Sequence, residues 1–159
     1  MIKPESYSRS QLFCLVTLRV VIGWHFLYEG VVKVLNPNWS AQHFLLDSDG
    51  WFASFFELLA NSSALPIVNC LNIVGLLLIG LSLITGFLSK YGCIGGILLL
   101  LSYTLSHPAF IGSDYIMPSE GSYLWIDRNI VEIFAMLVLI YFPTSRIIGL
   151  DRFFSKKSY

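Results

Sequence analysis

Four ionisable side chains lie within one long apolar stretch of the chain, residues 12–35: Arg19, His25, Glu29 and Lys33. In a membrane-spanning helix each mid-membrane charge costs roughly 2.5–3.5 kcal/mol, and about a dozen large apolar residues return only about 6 kcal/mol. At about 100° per residue the four side chains share one arc of roughly 120°. Histidine and carboxylate can exchange protons, and cationic side chains can stabilise negative charge. This face is therefore a candidate functional site whose charges need partners on neighbouring helices.

The composition is that of a membrane protein. Of the 159 residues, 55% are hydrophobic and 13% are charged, whereas soluble domains carry about 25% charged residues. The net charge of zero gives no support for nucleic-acid binding. Cys14, Cys70 and Cys93 fall in different apolar segments without CxxC or metal-ligand spacing, which predicts three buried apolar thiols.

Four apolar segments are candidates for membrane-spanning helices, and the whole chain, residues 1–159, is predicted to be one domain. The segments cover about residues 12–35, 66–88, 91–105 and 126–142. Pro66 suits the first turn of the second helix. A turn at Ser89 and Lys90 makes the second and third segments an antiparallel hairpin. The predicted fold class is an all-α bundle of four transmembrane helices.

The distribution of basic residues predicts the orientation of these helices. The two loops on one side, 36–65 and 106–125, contain no lysine or arginine. The basic residues outside the apolar segments lie on the opposite side: Lys3, Arg9, Lys90, Arg146, Arg152, Lys156 and Lys157. By the positive-inside rule, both termini are cytoplasmic and both long loops are external. We therefore expect a multi-pass protein of a bacterial cytoplasmic (inner) membrane.

The external loops carry features of their own. The segment 51–60 is apolar, aromatic-rich and too short to span, which predicts a short interfacial helix between the first two spans, or a re-entrant segment. In the second loop, Tyr115, Tyr123 and Trp125 fit an aromatic belt at the outer membrane surface.

The predicted topology brings polar residues from all four helices to one depth in the external half of the bundle. We expect His25 and Glu29 to be the catalytic, proton-exchanging groups. The expected ligand-binding residues are Lys33, Asn69, Asn72, Tyr103, Arg128, Asn129 and Glu132. Glu29 and Arg128 are expected to form a partly buried charge pair.

Each polar residue also has a structural interpretation. Arg19 and Lys33 are long enough to extend their charged groups towards the membrane surfaces. Asp127 is placed to be the N-cap of the fourth helix. His25 and Glu29 are too short to reach a surface. A purely structural polar network that fixes the packing of the helices is the alternative for the cluster as a whole.

Three segments carry a resemblance to the DoxX/DoxD family of small four-helix membrane proteins. The segment LRVVIGWHFLYEGVVKVLNP (18–37) resembles the family's first helix, LNIVGLLLIGLSLITGF (71–87) the second, and EGSYLWIDRNIVEIFAMLVL (120–139) the DoxD-like fourth. The matching residues are Arg19, Gly23, Phe26, Gly30 and Lys33 in the first, Asn72, Gly75, Gly80 and Gly86 in the second, and Glu120, Gly121, Tyr123, Arg128, Asn129 and Glu132 in the fourth.

The resemblance implies a function that depends on a partner. Some members of the family are subunits of thiosulfate:quinone oxidoreductase, and others belong to membrane complexes for oxidative or thiol stress. Many DoxX sequences have glutamate where this chain has Asn72, so the asparagine favours the DoxD-like branch. Within that branch a partner subunit on the external side is expected, and a homo-oligomer is a further arrangement.

We therefore predict the membrane subunit of a quinone-linked redox complex, with a quinone as the bound small molecule. The sequence contains no metal, haem, flavin or iron–sulfur ligand pattern, so we expect the electrons to arrive from a substrate or a partner. The alternative is a non-catalytic membrane scaffold or chaperone, or a protein that binds a lipid-like ligand.

Overall fold

The regular structure is entirely helical in the parts of the chain that the computed structural model describes, residues 7–61, 63–108 and 126–154. The elements in chain order are α1 (Arg9–Leu35), α2 (Gln42–Leu46), α3 (Ala53–Leu59), α4 (Leu65–Thr85), α5 (Ser89–Ser106), α6 (Arg128–Tyr141), a 3-10 turn (Thr144–Arg146) and α7 (Asp151–Phe154). The prediction of an all-helical chain is confirmed for these residues.

Helices are present at all four predicted apolar segments, and their ends agree with the sequence to within three residues. Two of them, α1 and α4, are long and apolar enough to cross a membrane. α1 begins three residues earlier than predicted, because Ser8 and Gln11 form a reciprocal capping box at its start. Pro66 lies in the first turn of α4, as predicted.

The predicted turn at Ser89 and Lys90 is wrong, because both residues belong to the first turn of α5. α4 instead ends at Gly86, whose φ of 68° is the left-handed conformation that favours glycine at a helix end. Leu88 also has a positive φ, 51°. The Asp151 carboxylate accepts hydrogen bonds from the backbone N–H groups of Leu88 (2.7 Å) and Ser89 (3.3 Å), and so caps α5 from a distant part of the chain.

α1 packs mainly on α4, which in turn packs on α5, and α5 packs on α6. The α1–α4 contact is very close at Gly80, where an added Cβ atom would lie 2.5 Å from the backbone nitrogen of Leu27. Phe26 of α1 and Met136 of α6 meet at Gly96 of α5, so one apolar core joins the four helices. This packing fixes which face of α1 can contact α6.

Large apolar side chains also cover the outside of these helices. Leu71 is 67% exposed, Leu98 61% and Phe134 63%. Exposed apolar surface on several adjacent helices is typical of a protein whose surroundings are lipid rather than water.

Residues 41–60 form a small helical unit, the α2–α3 cap, with its own core of Ala41, Leu45, Phe56 and Ala60. α3 is the short helix predicted within residues 51–60, whereas α2 was not predicted. The cap is fixed to the long helices by two hydrogen bonds, from the Ala41 N–H to Asn69 Oδ1 (2.9 Å) and from the Asp49 N–H to the Ser106 carbonyl (3.0 Å). The predictions for Glu120, Gly121, Tyr115, Tyr123 and Trp125 concern residues outside the described part of the chain.

Candidate functional site

His25 of α1 and Glu132 of α6 form the central polar contact between these two helices. His25 Nδ1 lies 3.0 Å from Glu132 Oε1 and 3.1 Å from Oε2. The Glu132 side chain is 10% exposed, whereas that of His25 is 36% exposed. With Glu132 ionised, Nδ1–H donates to the carboxylate, and Nε2 is the ring nitrogen left for another partner. The pair is built so that one nitrogen is held by the protein while the ring remains accessible.

Glu29 and Lys33 pair with each other along α1. Lys33 Nζ donates to Glu29 Oε2 at 2.8 Å and lies 5.5 Å from the centre of the Trp39 ring. Glu29 therefore takes its hydrogen bond from Lys33, one helical turn away, rather than from Arg128, with which a charge pair was expected. Arg128 remains close enough to act electrostatically on both Glu29 and His25.

Asn72 of α4 and Tyr103 of α5 form a second inter-helix contact. Asn72 Nδ2 donates a hydrogen bond to the Tyr103 hydroxyl oxygen. Phe44 of the α2–α3 cap meets the Tyr103 ring edge-on at 5.7 Å and stacks on His107 at 4.1 Å between ring centres. The predicted polar layer is thus divided into separate hydrogen-bonded pairs rather than gathered around one point.

Three predicted residues are used to hold helix ends. The amide of Asn69 accepts from the Ala41 N–H and donates to Ser40 Oγ at 3.4 Å, so it holds the first residue of the cap and the residue before it. Asp127 accepts from the Ile130 N–H at 2.9 Å, which confirms its predicted N-cap position. Asn129 donates to the second Asp127 oxygen at 3.3 Å rather than to the His25–Glu132 pair.

Arg19 is buried within the protein, with 3% of its surface exposed, and its charged group contacts other residues of the chain. Its Nη1 donates to Thr144 Oγ1 (3.1 Å) and its Nη2 to the Ile148 carbonyl (2.8 Å). The segment after α6 folds back over the end of the helices and supplies these acceptors. The helical period of α1 does not reveal this contact, because Thr144 lies 125 positions from Arg19 along the chain.

His107, next to the end of α5, faces the acidic residues of the cap. Its Nε2 lies 3.8 Å from Asp47 Oδ2. Burial lowers the pKa of His107, and the nearby carboxylates of Asp47 and Asp49 oppose that shift without overcoming it. His107 therefore favours the neutral form in the folded protein.

Of the three cysteines, only Cys93 is buried, and the predicted burial of Cys14 and Cys70 is wrong for the isolated chain.

Comparison with known proteins identifies the family. The DoxX family model matches residues 14–109, which is more than half of the chain. The chain belongs to the DoxX family. No curated protein and no solved structure matches it. Together with the long apolar helices α1 and α4, this membership makes it a membrane protein.

The DoxX match divides the candidate site. It includes His25, Asn72 and Tyr103, but ends before α6, the helix that supplies Glu132 and Arg128. Within the described residues of this DoxX protein, no group of three His, Cys, Asp or Glu side chains is placed to hold a metal ion. The arrangement can hold and transfer protons at His25, and it provides a hydrogen-bonding amide and hydroxyl between α4 and α5.

Proposed function

We propose that this DoxX protein is the membrane subunit of a quinone-linked redox complex for sulfur or oxidative-stress chemistry, in the DoxD-like branch of the family. In this proposal α1, α4, α5 and α6 form a four-helix bundle across a bacterial cytoplasmic membrane, with both termini inside and the α2–α3 cap outside. A partner subunit on the external side supplies the electrons. The observation that carries the proposal is the hydrogen bond between His25 and Glu132.

The proposed chemistry divides electrons and protons between two proteins. Conversion of a quinone to a quinol takes up two electrons and two protons. The electrons come from a reduced sulfur compound that the partner oxidises, and His25 delivers the two protons in turn from Nε2 to the quinone oxygens, taking up a proton from solvent after each transfer. The Glu132 carboxylate, which is bonded to His25 Nδ1, stabilises the protonated imidazole ring before each transfer. The positive charges of Lys33 and Arg128 favour negative charge on the substrate as it is reduced.

The location of His25 supports a substrate that arrives from the lipid. Trp24 and Tyr28, its neighbours along α1, are 61% and 56% exposed. Their rings stack on each other at 6.4 Å, so an aromatic surface borders the histidine. A quinone carries an apolar tail and a flat ring, and both suit such a surface.

The test is a His25→Phe variant, which replaces one ring by another. We expect this variant to insert and fold with a lower melting temperature, because Glu132 loses its partner, and to lose quinone reduction with the partner and the electron donor present. The matched control is His43→Phe, because His43 is an exposed histidine on α2. Turnover and protein-bound quinone are measured together, the latter by extraction and mass spectrometry. Wild-type protein that never binds a quinone, even with its partner, excludes the proposal.

The second candidate is a membrane scaffold, or a protein that binds a lipid-like ligand without chemistry. It is favoured by the fact that the ionisable residues of the α1 stripe already have partners within the chain: Arg19 with Thr144 and Ile148, His25 with Glu132, and Glu29 with Lys33. A scaffold predicts that the wild type binds no quinone, and that His25→Phe changes thermal stability and assembly with the partner but no turnover.

A further inference from the structure

The Asn72–Tyr103 pair leaves hydrogen-bonding groups without partners in a buried place. Asn72 Oδ1 is buried and has no donor among the described residues. The Tyr103 hydroxyl accepts from Asn72 Nδ2, and within the same part of the chain its own proton has no acceptor. Buried polar groups in folded proteins are nearly always paired, and an unpaired one is costly. The pair therefore presents one free acceptor and one free donor between α4 and α5.

A second buried hydroxyl with no partner in the described part of the chain follows Tyr103 along α5. Thr104 Oγ1, on the residue that follows Tyr103, is also buried without a partner among the residues described. These unpaired groups, on α5 and on the facing helix α4, differ from the other polar side chains of the layer, which have partners within the protein. The other asparagines of that layer, Asn69 and Asn129, have protein partners. The two unpaired atoms thus point to a ligand rather than to general loose packing.

The surroundings of the pair suit an aromatic ligand. Phe44 from the cap meets the Tyr103 ring edge-on, and its own face stacks on His107. Tyr103 and Asn72 are partly buried, so the polar pair lies between apolar helices rather than on an open surface. A ring that carries an oxygen can place its face among aromatic side chains and its oxygen at the polar pair.

The amide of Asn72 can serve two kinds of oxygen. In the present orientation Asn72 Oδ1 accepts and Tyr103 O–H donates, which together match a hydroxyl group. After a half-turn of the amide, Tyr103 O–H donates to Oδ1, and the N–H groups of Nδ2 face the ligand. That arrangement matches a carbonyl oxygen, which only accepts.

We propose that Asn72 and Tyr103 form a binding site for a ring-borne oxygen, taken as carbonyl in a quinone and as hydroxyl in the corresponding quinol. This inference rests on the proposed function and adds a site for the substrate distinct from the His25–Glu132 pair. Glu29 is close enough to act electrostatically on both His25 and Tyr103, which places the two sites in the same polar layer. Reduction of the substrate then requires only rotation of one amide for the contact to be kept.

The test measures the affinity of purified protein in detergent for decyl-benzoquinone and for its quinol. Asn72→Leu and Tyr103→Phe each remove one side of the site. We expect each to weaken binding of both redox forms by about 3- to 10-fold, the effect of one lost hydrogen bond. Without ligand, Asn72→Leu should melt close to the wild-type temperature, because removal of the unpaired buried carbonyl offsets the lost hydrogen bond to the Tyr103 hydroxyl. The control is Ser102→Ala, since the Ser102 hydroxyl is bonded within α5 to the Leu98 carbonyl at 2.9 Å.

The outcomes separate this inference from the proposed function. If wild type binds the probe and both variants bind it equally well, the Asn72–Tyr103 site is excluded while the role of His25 stands. If wild type binds neither redox form, even with its partner present, both are excluded. Should Asn72→Leu fail to fold, Tyr103→Phe decides alone, because it keeps the ring that packs against Phe44.

Discussion

At the scale of single residues, the partners of the charged stripe on α1 are the main result. The sequence shows that Arg19, His25 and Glu29 share a helix face, but it does not show which groups face them. The structure assigns His25 to Glu132 and Arg19 to Thr144, residues that lie 107 and 125 positions away. Such partners follow from how the helices cross, which a helical period in one segment does not contain.

The His25–Glu132 pair predicts an asymmetric response to mutation. His25→Leu leaves a buried carboxylate alone and should destabilise the protein by about 3–5 kcal/mol. Glu132→Leu leaves only a half-exposed imidazole, which can remain neutral, and should cost about 1 kcal/mol. The double variant should recover part of the larger loss. Thermal melting in detergent ranks the stabilities of the wild type, the two single variants and the double variant. Equal losses of stability in the two single variants contradict the pairing.

His107 predicts a pH dependence of stability. Burial lowers its pKa in the folded protein below the ordinary value of 6.5. As the pH falls below about 6.5, the unfolded chain therefore takes up a proton before the folded chain does, and stability decreases. His107→Phe keeps a ring against Phe44 and should remove this component. The measurement compares the melting temperatures at pH 7.5 and pH 5, with His43→Phe as the control because His43 is exposed. If His107→Phe loses as much stability between the two pH values as the wild type does, His107 is not the cause of the pH dependence.

At the scale of helices, the sequence predicted the positions of the long helices well and the residues at which they begin and end less well. Apolar length and proline placement located α1, α4, α5 and α6. The α4–α5 turn was misplaced because its geometry depends on Gly86 and on Asp151, which caps α5 from far along the chain. α2 and α7 are too short for an apolar period to reveal them.

The close α1–α4 contact predicts opposite effects for two glycines of α4. Gly80→Ala places a methyl group 2.5 Å from the Leu27 backbone, which must move, at a cost of about 1–3 kcal/mol. Gly75→Ala meets nothing within 4 Å, so it should be neutral or stabilise the helix by up to about 1 kcal/mol. Melting temperatures test the pair, and a loss at Gly75 equal to that at Gly80 would exclude close approach as the cause.

The contact of Arg19 predicts that it holds the segment after α6. Arg19→Gln should loosen residues 144–148 and speed trypsin cleavage after the exposed Arg146, because the bonds to Thr144 and the Ile148 carbonyl are lost. Arg9→Gln is the control, since Arg9 is exposed at the start of α1. The rate of cleavage at Arg146 in detergent is the measurement, and equal rates in the two variants contradict the proposed anchoring.

At the scale of the whole molecule, apolar surface and charge distribution predict different things. Exposed Leu71, Leu98 and Phe134 indicate lipid around the helices, and family membership agrees. Neither tells which side the α2–α3 cap faces. That prediction depends on the absence of lysine and arginine from residues 36–65 and 106–125.

The orientation can be tested by labelling single cysteines in intact spheroplasts. In a background without Cys14, Cys70 and Cys93, the variants Asp49→Cys and Ser119→Cys should react with a membrane-impermeant thiol reagent, whereas Ser155→Cys should react only after lysis. The reason is that moving basic termini across the membrane opposes the positive-inside bias. Labelling of Ser155→Cys alone before lysis would reverse the topology. It would also place the cap, and with it Tyr103 and its aromatic neighbour Phe44, on the cytoplasmic side, where an external partner could not reach them.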